Sequence, residues 1–280
     1  MADILKEIPV VFYSQNKQLV GIYHQSNVAT NQAVVIVVGG PQTRVGSHRQ
    51  FVLLAREYAK NGIDVLRFDY SGAGDSEGSI TEFTQLNDDI AAAINTLQQK
   101  NNKLSHITLW GLCDAASAIL LYLAKTQDAR ITQIVLLNPW VRQPSTEAKV
   151  YLRSYYIKRL FQLSFWKKIF KGRLQFRQSA HDIKSFKQQS KQETAKGFVE
   201  TMLTGAVNFS GDISFLLSGN DLTAEEFKLL VKSDPCWRAL LNQSRNTIHT
   251  VSGANHTFSS QIWHQKMLEH SLKAVKNFVD

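Results

Sequence analysis

Cysteine and proline are scarce in this chain, and long apolar runs are absent. Two cysteines and five prolines occur in 280 residues. A disulfide framework is therefore excluded, and no Cys/His cluster has the spacing of a zinc site. The longest apolar run, 115–124, covers about ten residues, roughly half of what a membrane span requires. The first residues do not resemble a secretory signal, so we expect a cytoplasmic protein that needs no metal or other cofactor.

Acidic residues are missing from one long segment, and this gap explains the basic character of the chain. No Asp or Glu lies between Glu147 and Asp182, where nine Lys and Arg residues equal the formal net charge of +9. They are Lys149, Arg153, Lys158, Arg159, Lys167, Lys168, Lys171, Arg173 and Arg177. Aromatic residues alternate with them. The segment either contacts an anionic membrane surface, which would place the protein at the inner membrane, or packs its aromatics over a pocket with its lysines solvated. No motif predicts nucleic-acid binding.

Apolar, β-branched runs alternate with helical patterns along most of the chain. The runs lie at 10–13, 19–23, 33–38, 63–68, 106–110, 131–137, 213–217 and 247–251, and the helical patterns at 48–60, 83–98, 114–125, 223–232 and 261–278. Near-continuous apolar strands separated by helices indicate a parallel sheet that is covered on both faces. We therefore predict an α/β fold with a mostly parallel, eight-stranded sheet.

One stretch interrupts this alternation. Residues 140–208 contain no convincing buried strand and are rich in aromatic and basic helical sequence, so we predict a helical cap there. The core then consists of a first part, 1–139, and a second part, 209–280. Within the second part, Thr223 and Glu226 have the spacing of a capping box and predict a helix start.

The run 106–110 leads directly into Gly-Leu-Cys-Asp-Ala at 111–115, and an alanine-rich helical pattern follows. This is the context of a nucleophile elbow, the sharp strand–turn–helix bend that lifts a nucleophile above a sheet. Cys113 stands at the position of the nucleophile, and Ala115 replaces the last glycine of the usual pattern. The alternative is that Cys113 is an inert buried thiol.

A nucleophile needs a base, and the base needs an orienting acid. Asp221 follows the run 213–217, and His256 follows the run 247–251. The order Cys113, Asp221, His256 therefore places each group just after a parallel strand, where open α/β sheets bind ligands. The alternatives are that Asp221 is only a helix-start acid and that His256 is a surface loop residue.

Two backbone N–H groups should stabilise the oxyanion of the reaction. One is that of Asp114, directly after the nucleophile. The other comes from the turn that begins at Gly39 and Gly40, and because Pro41 has no N–H, Gln42 or Thr43 is the expected donor. A second glycine-containing turn, 69–76, lacks the features of a phosphate loop and is predicted to pack beneath the site.

Together these segments resemble the α/β-hydrolase superfamily. Three blocks, 39–51, 110–117 and 137–142, resemble more narrowly the exosortase-A-system-associated hydrolases of bacteria. The resemblance implies an α/β-hydrolase fold and a hydrolase or acyl-transfer enzyme associated with extracellular polysaccharide, with Cys113, Asp221 and His256 at the positions of nucleophile, acid and base. The sequence differs from ordinary esterases at three positions: it has cysteine where they have serine, Val38 where they have histidine, and Pro41 in the oxyanion turn. The cysteine is similar to that of dienelactone hydrolases or thioester-handling enzymes.

The leading hypothesis is an acyl hydrolase or acyltransferase that forms a covalent thioester on Cys113 from a small-molecule or lipid-linked acyl substrate. We expect Cys113 to depend on His256 for ionisation. The second hypothesis is a catalytically silent module that binds a lipid-linked saccharide or a membrane partner through the basic cap. A redox-sensing thiol is a third option, but no resolving cysteine lies nearby in the sequence.

Overall fold

The computed structural model describes residues 6–141 and 194–276. Its strands are β1 Lys6–Ser14, β2 Lys17–Gln25, β3 Gln32–Val37, β4 Asp64–Phe68, β5 His106–Leu112, β6 Ile131–Leu137, β7 Asp212–Ser218 and β8 Asn246–Val251. They form one sheet in the order β1-β2-β4-β3-β5-β6-β7-β8. β2 is antiparallel to both β1 and β4, and all other neighbours are parallel. The predicted eight-stranded, mostly parallel sheet is confirmed.

The central strands are apolar throughout because both faces of the sheet are covered. Every residue of β3 and β4 is buried, whereas the edge strand β1 buries only every second residue over its last half. The helices are α1 Gln50–Lys60, α2 Asn87–Lys100, α3 Asp114–Lys125, α4 Thr194–Asn208, α5 Leu222–Ser233, α6 Pro235–Leu241 and α7 Gln261–Lys276. α1 packs against α7, and α2 packs against α3. Burial of apolar surface between these layers is the main stabilising contribution.

The sheet order creates a crevice at one edge. The chain leaves β3 toward β4 on one side and leaves β5 toward β6 on the other side. Loops that diverge from two adjacent parallel strands leave a space between them outside the carboxyl ends of the strands. The turn that follows Val37 and the residue that follows Leu112 both lie at this switch point.

One predicted helix cap is wrong, and one short helix was not predicted. The helix predicted from the Thr223–Glu226 capping box begins at Leu222, and its N-cap is Asp221, whose side chain accepts the backbone N–H of Ala224. Because Asp221 is the N-cap, Thr223 lies inside the first turn of the helix. The short helix α6 was not predicted because seven residues show little periodicity.

The predicted cap, 140–208, lies mostly outside the described residues, as does the basic segment within it. The described residues continue with α4, which packs against α3. A Cβ at Gly205 would lie 2.0 Å from the carbonyl oxygen of Leu120, so only glycine permits this helix contact. Within 6–141 and 194–276, no helix is long and apolar enough to cross a membrane.

Candidate active site

Cys113 lies in the bend between β5 and α3. Its backbone has φ 63° and ψ −122°, a conformation that side chains other than glycine rarely adopt. Its N–H donates to the carbonyl of Leu137 at 2.8 Å, and its own carbonyl accepts the N–H of Trp140 at 3.2 Å. Strain of this kind persists where neighbouring structure enforces it, and it is typical of a nucleophile elbow.

Small residues allow the strand and the helix to approach closely at this bend. A Cβ at Gly111 would lie 2.8 Å from both the carbonyl carbon of Ala115 and the Cδ1 atom of Ile119. Ala115 is itself buried. The elbow therefore accommodates Ala115 in place of the usual glycine because Gly111 leaves the space on the strand side.

Asp221 and His256 meet beside the elbow. The Nδ1 atom of His256 lies 3.0 Å from Oδ2 of Asp221. The same Oδ2 accepts the N–H of Ala224 at 3.1 Å, so Asp221 is a helix-start acid and the partner of His256 at once. The sequence left open whether Asp221 is a helix-start acid or the acid that orients the histidine, and the same carboxylate does both.

Asp221 and Cys113 both raise the pKa of His256, which reaches about 10. The hydrogen bond to Asp221 contributes most, the hydrogen bond to Cys113 comes next, and burial opposes them only in part. An imidazole with such a pKa carries its proton at neutral pH. The arrangement can therefore hold a proton next to the thiol of Cys113, which is what a cysteine nucleophile requires.

The side chain of Asp114 lies against the turn that follows β3. A Cβ at Gly39 would lie 2.3 Å from Oδ1 of Asp114, so this position requires glycine. The carboxylate accepts the N–H of Ala115 at 3.0 Å and that of Gly40. Burial raises the pKa of Asp114, and these hydrogen bonds and the charge of His256 offset this effect only in part.

The predicted oxyanion residues are not equally placed. Gly40 and Asp114 are in contact, whereas the side chain of Gln42 accepts the N–H of Ser47 at 3.3 Å and so contacts its own loop. The carboxylate of Asp114 accepts the N–H of Gly40. The N–H of Gly40 therefore lies beside the bend that contains the backbone of Asp114. The side-chain hydrogen bond of Gln42 does not locate its backbone N–H, so the choice of Gln42 or Thr43 as donor stays a prediction.

The turn 69–76 supports the site from below. The hydroxyl of Tyr70 donates to the carbonyl of Gly40 at 2.6 Å. Asp69 accepts the backbone N–H of Arg44 at 2.6 Å and pairs with the guanidinium of the same residue. The turn therefore fixes both ends of the loop that carries the candidate oxyanion donors.

Sequence reasoning missed Tyr70 and Asn138 as individual residues. Tyr70 lies in a turn whose glycines gave the visible signal, and Asn138 lies in a block that was noted only for its resemblance. No cluster of three or more His, Cys, Asp or Glu residues that could hold a metal ion occurs in the part of the chain that the structure describes.

Comparison with protein families places this chain in one of them. The family model described as "Serine aminopeptidase, S33" matches residues 29–204. Members of this family usually have serine at the nucleophile position, where this chain has Cys113. A search of curated proteins gives no match.

Solved structures with the same fold cover nearly the whole chain. The Pyrococcus furiosus esterase Pf2001 has a TM-score of 0.68 and 15% identity, over 98% of this chain and 91% of that chain. For the α/β hydrolase GrgF from Penicillium sp. sh18 the TM-score is 0.63 and the identity 14%, over 98% and 99%. For the dienelactone hydrolase from Anabaena variabilis they are 0.62 and 11%, over 98% of each chain. The fold and the family match agree, and the chain belongs to the serine aminopeptidase S33 family of the α/β-hydrolase superfamily.

Proposed function

We propose that this protein is an acyl hydrolase or acyltransferase that acts on an ester or thioester through a covalent acyl-enzyme on Cys113. The observation that carries the proposal is the hydrogen-bonded series Asp221, His256 and Cys113 at the carboxyl edge of the sheet, where Cys113 follows β5. The three residues lie in the chain order that is typical of α/β-hydrolases. The dienelactone hydrolase among the structures of similar fold supports an ester substrate.

In the first half of the proposed reaction, the thiolate of Cys113 attacks the acyl carbonyl carbon and a sulfur–carbon bond forms. The proton stays on His256, whose ring is held by Asp221. When the tetrahedral intermediate collapses, the bond from carbon to the leaving oxygen or sulfur breaks, and His256 donates its proton to that atom. The product of this half is a thioester on Cys113.

In the second half, His256 is neutral and accepts a proton from water or from an acceptor alcohol. The new oxygen–carbon bond forms, and the sulfur–carbon bond breaks after a second tetrahedral intermediate. Cys113 leaves as a thiolate beside protonated His256, so the pair can begin another cycle. Water as the acceptor gives hydrolysis, and an alcohol gives acyl transfer.

The negative oxygen of both intermediates is assigned to the backbone N–H of Asp114 and to one N–H of the turn that follows β3, that of Gly40, Gln42 or Thr43. Loss of one donor of this kind typically costs roughly 3–4 kcal/mol in the transition state. In the resting structure the Asp114 carboxylate accepts the N–H of Gly40. When Gly40 is the donor, the acyl oxygen must therefore displace this carboxylate as it binds.

The three blocks that resemble exosortase-A-system-associated hydrolases support a narrower proposal. They include the oxyanion turn, the elbow and the end of β6, all of which adjoin Cys113. We therefore extend the proposed substrates to lipid-linked acyl groups in bacterial exopolysaccharide production.

Binding to an anionic membrane is a second candidate function, and it rests on the nine cations between Glu147 and Asp182. Flotation with anionic and neutral vesicles tests it. Binding only to anionic vesicles, weakened by salt, supports a membrane contact. Binding that ignores lipid charge, or no binding, contradicts it.

Turnover measurements test the enzymatic proposal. Because Cys236 is exposed, the reference protein is Cys236→Ser, assayed with p-nitrophenyl esters of increasing chain length, acyl-CoA thioesters and aminoacyl p-nitroanilides. We expect turnover of the esters or thioesters that Cys113→Ala abolishes and Cys113→Ser lowers. Turnover that survives Cys113→Ala contradicts the proposal, and exclusive cleavage of the anilides indicates an aminopeptidase instead.

A further inference from the structure

Asn138 is buried directly after β6, between the elbow and the loop of His256. Its side chain is fully enclosed and its backbone φ is 44°, in the left-handed region. Asparagine tolerates this region better than most residues other than glycine. A buried amide in such a conformation requires partners for its donors and its acceptor.

The amide of Asn138 connects the ends of two strands to the histidine loop. Its Nδ2 donates to Oγ of Ser218 at 2.9 Å and to the backbone carbonyl of His256 at 3.1 Å. Its Oδ1 accepts the backbone N–H of Ser218 at 2.8 Å. The Oγ of Ser218 in turn donates to the carbonyl of Asn255 at 2.9 Å, so two consecutive carbonyls of the histidine loop are held.

The same short segment of chain also holds the elbow. The carbonyl of Leu137 accepts the N–H of Cys113, and the N–H of Trp140 donates to the carbonyl of Cys113. The hydroxyl of Ser117, on α3, donates to the carbonyl of Trp140 at 2.7 Å. Residues 137–140 therefore contact the backbone of Cys113 on one side and the backbone of His256 on the other.

We propose that Asn138 is a positioning residue that fixes the imidazole of His256 relative to the thiol of Cys113. This inference rests on the proposed function. Asp221 sets the direction of the imidazole through Nδ1, but it does not set how far the histidine loop lies from the elbow. Asn138 sets that distance because it joins the loop to the segment that also holds Cys113.

Asparagine suits this task by chemistry. An amide both donates and accepts, so it satisfies the Ser218 N–H and the His256 carbonyl at once. Aspartate has no N–H to donate to the carbonyl, and glycine keeps the left-handed backbone but makes no side-chain contact. Asn138→Gly therefore removes the amide without straining the chain.

The test is the rate at which iodoacetamide alkylates Cys113 between pH 5 and 9, in the Cys236→Ser protein. An unassisted thiol is only a few per cent thiolate at pH 7, so His256→Ala should slow alkylation roughly 30-fold. Asn138→Gly should slow alkylation roughly five- to tenfold, because His256 is displaced from the thiol. It should also shift the rise of the alkylation rate to higher pH.

The matched control is Asn246→Gly. Asn246 is a buried amide at the opposite edge of the sheet, where it donates to the carbonyl of Leu240 at 2.7 Å and accepts the N–H of Ile213 at 3.3 Å. We expect it to lower the melting temperature as Asn138→Gly does and to leave the alkylation profile of Cys113 unchanged. Ser218→Ala, which removes one partner of the Asn138 amide, should shift the profile in the same direction as Asn138→Gly.

The double variant separates positioning from general loosening. When His256 is already alanine, Asn138→Gly should change the alkylation rate by less than about twofold. This inference alone is overturned if Asn138→Gly slows alkylation as much in the His256→Ala background as in the reference protein. It is also overturned if His256→Ala is slow while Asn138→Gly and Asn246→Gly have the same pH profile. Equal alkylation of the reference protein and His256→Ala overturns both the inference and the proposed function.

Discussion

Two largely buried histidines at opposite parts of the sheet have pKa values that move in opposite directions. His256, at the carboxyl edge, has a pKa raised to about 10 by Asp221 and then by Cys113. His24, on β2, has a pKa lowered to about 4 by burial and then by the charge of Arg67. Burial favours the neutral imidazole in both places. The hydrogen bond to Asp221 outweighs burial at His256, whereas the charge of Arg67 adds to burial at His24 and exceeds the opposing charge of Glu7.

The region around His24 has a structural role. The Nε of Arg67 donates to Nε2 of His24 at 2.8 Å, and Nη1 of Arg67 donates to the carbonyl of Arg44 at 3.1 Å. Nδ1 of His24 has no hydrogen-bond partner among the described residues. The neutral imidazole thus serves as an acceptor that orients Arg67. His24 is fully buried and the side chain of His256 is one-third exposed. Their partners also differ in charge, because Arg67 donates to His24 whereas His256 pairs with Asp221.

The largest expected effect separates the two histidines. His256→Ala should lower the rate of acyl-enzyme formation on Cys113 by about 10³-fold or more, because the base and proton donor is lost. His24→Gln retains a hydrogen-bond acceptor and should leave this rate within about threefold. The burst of p-nitrophenol from an ester measures both rates. Similar losses in the two variants would contradict the assigned roles.

The next largest effect distinguishes the pairing of Asp221 with His256 from its role as the N-cap of α5. Asp221→Ala should lower the acylation rate by about 10²–10⁴-fold and should also remove a helix cap worth about 1 kcal/mol. Asp234, the N-cap of α6, accepts the N–H of Cys236 at 2.8 Å and is the matched control. Asp234→Ala should cost similar stability, measured by urea unfolding, and should retain full activity. Loss of activity in both variants would show that capping explains the effect.

The pH dependence of stability should also differ in sign between the two regions. The raised pKa of His256 contributes stability that is fully present below about pH 6.5 and is lost as the pH rises through about 10. The lowered pKa of His24 acts oppositely, because the unfolded chain binds its proton first as the pH falls from about 6.5 toward 4.

Melting temperatures between pH 4 and 10 measure these contributions. The stability advantage of the reference protein over His256→Ala should shrink as the pH rises from 7 to 10. His24→Gln should flatten the decline of stability on the acidic side. Parallel curves for the reference protein and His256→Ala would contradict the pairing with Asp221.

The smallest effect concerns the support of the oxyanion turn. Tyr70→Phe removes the hydrogen bond to the carbonyl of Gly40 and should slow acylation about fivefold, the equivalent of about 1 kcal/mol. Tyr23→Phe is the control, because that hydroxyl donates to Asp64 at 2.7 Å on β4, at the other end of the strand from Tyr70. A slower reaction in the control alone would contradict the assignment to Tyr70.

Much of the fold was predictable because its central strands are buried on both faces. Each of the eight apolar runs coincides with a strand, and the central parallel strands, which lie between two layers, are mostly apolar. Asp221 and His256 each follow such a run in the sequence, and the structure adds that their strands, β7 and β8, are neighbours.

Contacts between loops were not predictable in the same way. The hydrogen bonds of Asn138 with Ser218 and His256, and that of Tyr70 with Gly40, join residues that are 30 to 118 positions apart. Their proximity depends on the order of strands in the sheet, which periodicity does not reveal. The N-cap of α5 was mispredicted because both Asp221 and Thr223 are residue types that cap helices, and the structure uses Asp221.

The measurement that tests the central claim most directly is the intact mass of the Cys236→Ser protein after incubation with p-nitrophenyl esters and acyl-CoA thioesters. The account predicts the mass gain of one acyl group, located by peptide mapping on the peptide that contains Cys113. Cys113→Ala should show no gain, and His256→Ala should acquire it far more slowly. An acyl group that persists in Cys113→Ala, or turnover by the reference protein without any adduct on Cys113 when the reaction is quenched during turnover, would contradict the account.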